Sequence, residues 1–479
     1  MSDLFFNDGD GIVNVGIESF IEPIRSKNVP VTDVDWKPYP GVDDELIDGL
    51  TELGEHEPKI RDANERAANR LVEARPIWRD IQNARTALDL EGMTLCHAGP
   101  PVTWDNMSGP QRGAVIGAIQ YEGWADGKEA ARIKAASGDV SFVPCHDRSA
   151  VGPMAGIISP SMPLAVVENE AYGNTAYSNL NEGLGEVLRF GAYTSDVLEN
   201  LEWMEQELAP VLKQAVAAHD GIDLKLLSSK ALQMGDEVHN RNVAGTALLV
   251  RELAPTIATL DEDPHRIEKI LSFIGNNEHF FLNLSMAACK SATDAAANVP
   301  WSTVLTAMAR NGTEFGIRIS GLGDEWFTTP AKVVDGLYFS DYSKQDASPD
   351  IGDSSIAETS GVGGFAMAGS PAITQFVGGH PQEALGYTKQ MYEITITENT
   401  NYALPPLNFR GTPTGIDLTQ VIETGIQPII NTGIAHKEPG IGQIGAGIGR
   451  APRECFLTAM QAYCNAYRNE TVPVEVSEQ

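Results

Sequence analysis

The chain has 479 residues, 42% hydrophobic and 21% charged, with a formal net charge of -31. That length exceeds what one hydrophobic core holds and predicts about two to four domains; the acidity excludes non-specific binding to nucleic acid or to anionic membranes, which need a basic footprint. Cys96, Cys145, Cys289, Cys455 and Cys464 are scattered without a CxxC pair, which argues against a disulfide framework or a structural zinc site.

Residues 1–92 read as a first α/β unit. "GIVNVGIESFIEPIRSKNVPVTDVDW" predicts a strand at Ile12–Val15, a helix from Glu18 to Ser26 and a strand at Val31–Val34 leading to Trp36. The Gly-rich dinucleotide fingerprint is missing. A helical run over 57–88 follows. The first residues lack a basic segment and a long apolar core, and no apolar run reaches about 18 residues, so a cytoplasmic protein without a membrane span is expected.

Residues 93–192 mix short strands with a helix near 109–119. Residues 193–310 carry the three-to-four-residue apolar rhythm of a helical domain, with a kink expected at Pro210, a start at Asp263–Pro264 and a stop at Gly275. Glycine-punctuated strands fill 311–479, and Gly312 after Arg310 and Asn311 reads as a helix C-cap. The expected fold class is α/β (mixed α+β) and multidomain, with a helical domain and a glycine-rich C-terminal α+β region.

The densest polar stretch is "MGDEVHNRN". On a helix, Asp236 with His239 and Glu237 with Arg241 share a face, so a carboxylate can orient an imidazole for proton transfer. The stretch is expected to turn at Gly235, enter a helix and converge on 310–324 and 408–417; the alternative is a structural polar clamp. In "GNNEHFFLNLSMAACKS", Asn276, His279, Asn283, Met286 and Lys290 follow one helical stripe, either lining a pocket or satisfied within the core. Arg148, Arg318, Arg410 and Lys437 sit in Gly/Asn/Thr-rich motifs of a basic-poor chain, which fits a small anionic ligand or loops braced through carbonyls. "ETSGVGG" reads as a backbone-lined anion loop before a helix near Phe365, while Asp350, Asp353 and Glu358 are not in calcium-loop order. Cys145–His146 adjacency does not make a thiolate–imidazole couple, and GxSxG is absent.

Candidate catalytic residues are therefore His239, His279, Asp236 and Glu237. Candidate substrate-binding residues are Arg148, Asn240, Arg241, Asn242, Asn283, Arg318, Arg410, Thr412, Thr414, Asn431, His436 and Lys437. No cofactor is expected, and one histidine without HExxH gives little support to a metal.

"VPCHDRSAVGPMAGIISPSMP", "NLNEGLGEVLRFGAY", "MGDEVHNRN", "GNNEHFFLNLSMAACK", "GIRISGLGDEWF", "NFRGTPTGID" and "IINTGIAHKEPG" resemble, in order, motifs of the DUF1116 family. The resemblance runs over about residues 10–460. That family includes the AllG-type subunit of oxamate carbamoyltransferase. The resemblance implies a multidomain α/β protein with a helical domain, acting with two other subunits on oxamate, carbamoyl phosphate and oxalurate. It brings no residue roles. The SxRTR phosphate motif of the aspartate/ornithine carbamoyltransferases is absent, and "HPQE" at 380–383 is not their HPxQ signature. Expected partners are a small anionic substrate, further copies of the chain and other carbamoyltransferase subunits. The alternatives are a non-catalytic assembly subunit, or a lyase or hydrolase of another amide or carboxylate.

Overall fold

The computed structural model describes residues 12–15, 19, 21–27, 29–34 and 41–468; Glu18 and Trp36 of the expected opening lie outside the described residues. The architecture is mixed α/β and multidomain, with helices grouped in the middle of the chain and several separate sheets. Strands Ile12–Val15 and Val31–Val34 pair in parallel across the helix Ile21–Arg25.

The expected helix over 57–88 is three elements: a helix, a strand and the four-residue helix Ala84–Ala87. Its first part, Glu57–Glu73, buries Ala63, Ala67, Ala68 and Leu71 along one stripe. Pro76 cannot extend that helix, and Ile77, Trp78 and Ile81 suit a half-buried strand. Pro76–Asn83 therefore pairs antiparallel with Pro163–Asn169, with Trp78 fully buried. Those two strands form a five-stranded sheet with Thr175–Asn179, Ala150–Val151 and Ile222–Asp223.

Helices Ser195–Trp203, Ala209–Ala218, Leu224–Gln233, Val243–Ile257, Pro264–Asn276 and Phe280–Ala295 follow. At the expected Pro210 kink a π-helical turn, Met204–Leu208, hands the chain to the next helix. The Asp263 side chain accepts from the His265 and Arg266 N–H groups, as its position before Pro264 predicts. Helix Phe280–Ala295 is the hub: every residue from Phe280 to Thr293 is buried. It packs against Pro163–Asn169, Thr175–Asn179 and the short helix Ile356–Thr359, so it joins the first sheet to the C-terminal region. A helix enclosed on all sides must find partners for each of its polar side chains.

The central run of helices ends at Ala295. Leu305–Asn311 is a strand, and Gly312 (φ +78°) is the hairpin turn into Glu314–Ile319 rather than a helix cap. These strands lie between Phe327–Pro330 and Ile351–Gly352 in a four-stranded sheet. Asp335–Tyr338, Gln443–Arg450 and Ile429–Ala435 make a three-stranded sheet, and Thr395–Leu404 pairs with Arg410–Ile416. The closing helix Arg453–Tyr467 buries Cys455, Phe456, Ala459, Met460 and Tyr463 in the core shared by these sheets. Among the described residues no helix is long and apolar enough to cross a membrane.

Candidate functional site

The stretch at 236–242 is a loop, not the start of a helix. Helix Leu224–Gln233 stops before Gly235 (φ +96°), and the next helix begins at Val243. The cause is local. Oε1 of Glu237 accepts the N–H groups of Asn240 (2.5 Å) and Arg241 (2.8 Å), a side-chain alternative to helical bonding. Val238, fully buried, sits at φ +57°. A β-branched residue is strained in that region and stays there only because its surroundings fix it.

The expected pairings are consequently rearranged. Asp236 does not orient His239. Its Oδ2 accepts the Gly245 N–H (2.9 Å), and its Oδ1 lies 3.2 Å from Arg241 Nε without hydrogen-bond alignment. His239 instead places Nδ1 2.7 Å from Oε1 of Glu358, whose side chain is fully buried. The same oxygen accepts N–H groups from Gly364 (2.8 Å) and Asn431 (3.3 Å). Gly363 (φ +60°) must lack a side chain, because a Cβ would come within 2.4 Å of that oxygen. The Gly-rich loop, expected to hold an anionic ligand, turns the Gly364 N–H onto the chain's own Glu358 side chain. The helix expected near Phe365 is a 3₁₀ segment, Gly363–Gly369.

A carboxylate on Nδ1 favours the tautomer that keeps its hydrogen there and leaves Nε2 to take up a proton. Around this pair, Oε2 of Glu358, Nδ2 of Asn240, Oδ1 of Asn242 and both side-chain polar atoms of Asn431 are buried without a partner, as is Oγ1 of Thr412 on the strand Arg410–Ile416. Thr414 donates to the Thr412 carbonyl (3.1 Å) and packs against Gly361. The loop at 236–242 therefore meets 358–364, and through it Thr414 and Asn431. It does not pair with Arg310 or Arg318.

Other candidates are placed differently. Asn276 ends one helix and His279 precedes the next, so the stripe from 276 to 290 is not one helix. His279 lies beside the Asn240 backbone, and burial, reinforced by Arg189, holds its imidazole down at about 3 and hence neutral. Asn283 is spent within the core: it donates to Asn179 O and Oδ1 (both 2.8 Å) and accepts from Asn181 (2.7 Å). Lys290 pairs with Asp294 at 2.6 Å. Arg318 pairs with Asp147 and lies 4.3 Å above the Trp326 ring. Arg148 is exposed, Lys437 donates to the Gln345 carbonyl (2.8 Å), and His436 accepts the Glu438 N–H (2.9 Å). Arg410 is half exposed, bound to Glu398 and stacked 3.8 Å over Tyr392. Arg410→Ala is accordingly expected to change stability by less than about 1 kcal/mol and turnover by less than about threefold; a steady-state assay with a thermal melt checks this.

Sequence reasoning assigned no role to Glu358 or Asp353, although both acids stand inside Gly/Ser-rich segments. Asp353 accepts the N–H groups of Gly99 (2.8 Å) and Gly152 (3.0 Å), with His146 Nε2 at 3.5 Å, too long for a hydrogen bond. Burial pushes Asp353 up to about 7 from 3.8, and Glu237 and Glu182 up to about 7 from 4.5. Such groups bind more protons folded than unfolded, so their contribution is full below about pH 4 and is lost as pH rises through 7. Melting temperature is expected to fall by several degrees from pH 5 to pH 8, and Glu237→Gln should flatten that slope.

A cavity of about 800 Å³ opens beside Asn277 and Glu278, walled by Glu182, Asp196, Glu199, Trp203 and Lys269. Four carboxylates against one ammonium make it a poor host for a small dianion. Among the described residues, no group of three or more His, Cys, Asp and Glu side chains is arranged to hold a metal ion.

The family described as oxamate carbamoyltransferase subunit AllG matches residues 140–354, which include the 236–242 loop and Asp353. The chain is 49% identical over 407 residues to the oxamate carbamoyltransferase subunit AllG of Escherichia coli (strain K12), covering 84% of this chain and 97% of that protein. It is 42% identical over 470 residues to the uncharacterized protein YahG of the same organism, covering 98% of this chain and 100% of that one. A crystal structure of a conserved protein of unknown function from Enterococcus faecalis V583 superposes with a TM-score of 0.84 at 49% identity, over 86% of this chain and 99% of that chain.

Proposed function

Since this chain belongs to the family of AllG-type oxamate carbamoyltransferase subunits, we propose that it is such a subunit and carries a carbamoyl group between phosphate and oxamate. The observation that carries the reading is 49% identity over 97% of the relative bearing that name. The His239–Glu358 pair supports it chemically. In the synthetic direction the oxamate nitrogen attacks the carbonyl carbon of carbamoyl phosphate, a C–N bond forms and the C–O bond to phosphate breaks. The nitrogen must lose a proton, which His239 Nε2 accepts while Glu358 stabilises the imidazolium. In reverse, a phosphate oxygen attacks the carbamoyl carbon of oxalurate and the same proton returns to the departing nitrogen. General-base help of this kind contributes about 10²–10⁴ in rate.

The partners in this reading are other subunits of the transferase, with small carboxylate and phosphate dianions as substrates. The test is phosphorolysis of oxalurate by the purified chain, alone and with the proteins encoded beside it, with carbamoyl phosphate measured directly. Carbamoyl phosphate in either arrangement is the expected result, and none in both overturns the proposal.

A further inference from the structure

We propose that Asn431 reads a primary amide. Its carboxamide makes a paired two-bond contact with the –CO–NH₂ group of a short amido acid held beside His239 and Glu358. This rests on reading those two residues as the reacting site.

Asn431 is fully buried, yet both Nδ2 and Oδ1 lack a partner. The core asparagines around the hub helix show what ordinary satisfaction looks like here: Asn277 donates to Asn181, and Asn283 makes contacts at both ends of its amide. A wholly unsatisfied carboxamide is costly to bury, and in a native protein it calls for an explanation. Its position is fixed from the main chain. Asn431 sits on Ile429–Ala435 opposite Ile448, and its N–H points at the same Glu358 oxygen that holds His239. Glu358 Oε2, on the same carboxylate, is also unpartnered, so a further acceptor stands beside that oxygen. The loop runs from buried His239 to half-buried Asn240 and Arg241, which keeps the way to solvent short.

The chemistry selects the ligand. A carboxamide presents one donor and one acceptor side by side, and a second primary amide presents the complementary pair. A carboxylate offers two acceptors, so one of its oxygens faces Asn431 Oδ1 without a proton between them. The expected preference for an amide over its isosteric acid is roughly tenfold to hundredfold.

Titration calorimetry on the full chain with its co-purified subunits tests this, using oxamate, malonamate and succinamate against oxalate, malonate and succinate. N,N-Dimethyloxamate is the matched control for oxamate. At least one primary amide is expected to bind tenfold or more tightly than its diacid, and dimethylation to abolish any preference for oxamate. Asn431→Leu, which removes both the donor and the acceptor at similar volume without adding charge, should bring the amide down to the level of the diacid and leave the diacid little changed. Equal binding of every amide and its diacid by the wild type overturns the proposal, and so does equal weakening of both by Asn431→Leu. Should that variant fail to fold, the wild-type ligand series decides. Amide preference without oxalurate phosphorolysis keeps this inference and sinks carbamoyl transfer; phosphorolysis with unchanged amide binding in Asn431→Leu does the reverse.

Discussion

His239→Ala is expected to lower kcat for oxalurate phosphorolysis by about 10²–10⁴ with a far smaller change in KM. The imidazole has one ring nitrogen committed to Glu358 at 2.7 Å, and only the other is left for the reacting proton. Glu358→Gln keeps an acceptor for the imidazole and for the Gly364 N–H but removes the charge that answers an imidazolium. Its loss should be smaller, about 10-fold to 10²-fold. The two residues act as one unit, so the double variant should be little worse than His239→Ala. Single-turnover kinetics on folded variants measures all three. His239→Ala within about threefold of wild type would remove the histidine from the proposed chemistry.

The largest stability effect is expected at Arg310. Its guanidinium is fully buried and every nitrogen is bonded: Nε and Nη2 to the two Asp350 oxygens (2.9 and 3.0 Å), Nη1 to the Gly352 carbonyl (2.8 Å), and Nη2 to Thr432 Oγ1 (3.0 Å). One side chain thereby ties Leu305–Asn311 to Ile351–Gly352 and to Ile429–Ala435. Arg310→Met strands the buried Asp350 carboxylate and should cost about 3–5 kcal/mol. Removing both charges, as Arg310→Met with Asp350→Leu, should recover most of that loss, because the desolvation of a lone ion disappears with it. Urea melts of the two variants and the wild type supply the comparison. A loss below about 1 kcal/mol in the single variant would contradict the clamp.

Much of the fold was legible where local chemistry decides it. "DPHRIEKILSFIG" carries its own cap and apolar stripe, and the β-branched parts of "EFGIRISG", "MYEITITEN" and "IQPIINTG" form the strands Glu314–Ile319, Thr395–Leu404 and Ile429–Ala435, while Met391–Ile394 stay helical. The loop at 236–242 was misread because Glu237 bonds to backbone N–H groups a few residues on, a competitor that helical spacing does not reveal. Pro76 marked the end of a helix, but the strand after it exists because Pro163–Asn169 lies alongside. Arginines beside glycines look alike whether they serve a ligand or a buried acid. Asp350 decided Arg310, Asp147 decided Arg318 and Glu398 decided Arg410. His239 and Asn431 were named from the sequence, whereas Glu358, the group linking them, was noticed without a role.

That linkage has a cost during synthesis. Glu358 follows His239 by 119 positions, and Asn431 follows Glu358 by another 73. At about 5–20 residues per second, a nascent chain carries His239 for roughly ten to forty seconds before Asn431 exists. Within that interval Arg310 waits another 40 residues, about two to eight seconds, for Asp350, and the hub helix waits longer for the Ile356–Thr359 segment that packs on it. A ribosome-bound intermediate of this kind exposes apolar surface and an ion without its mate, which makes it a chaperone client and a poor candidate for expression as a truncated fragment.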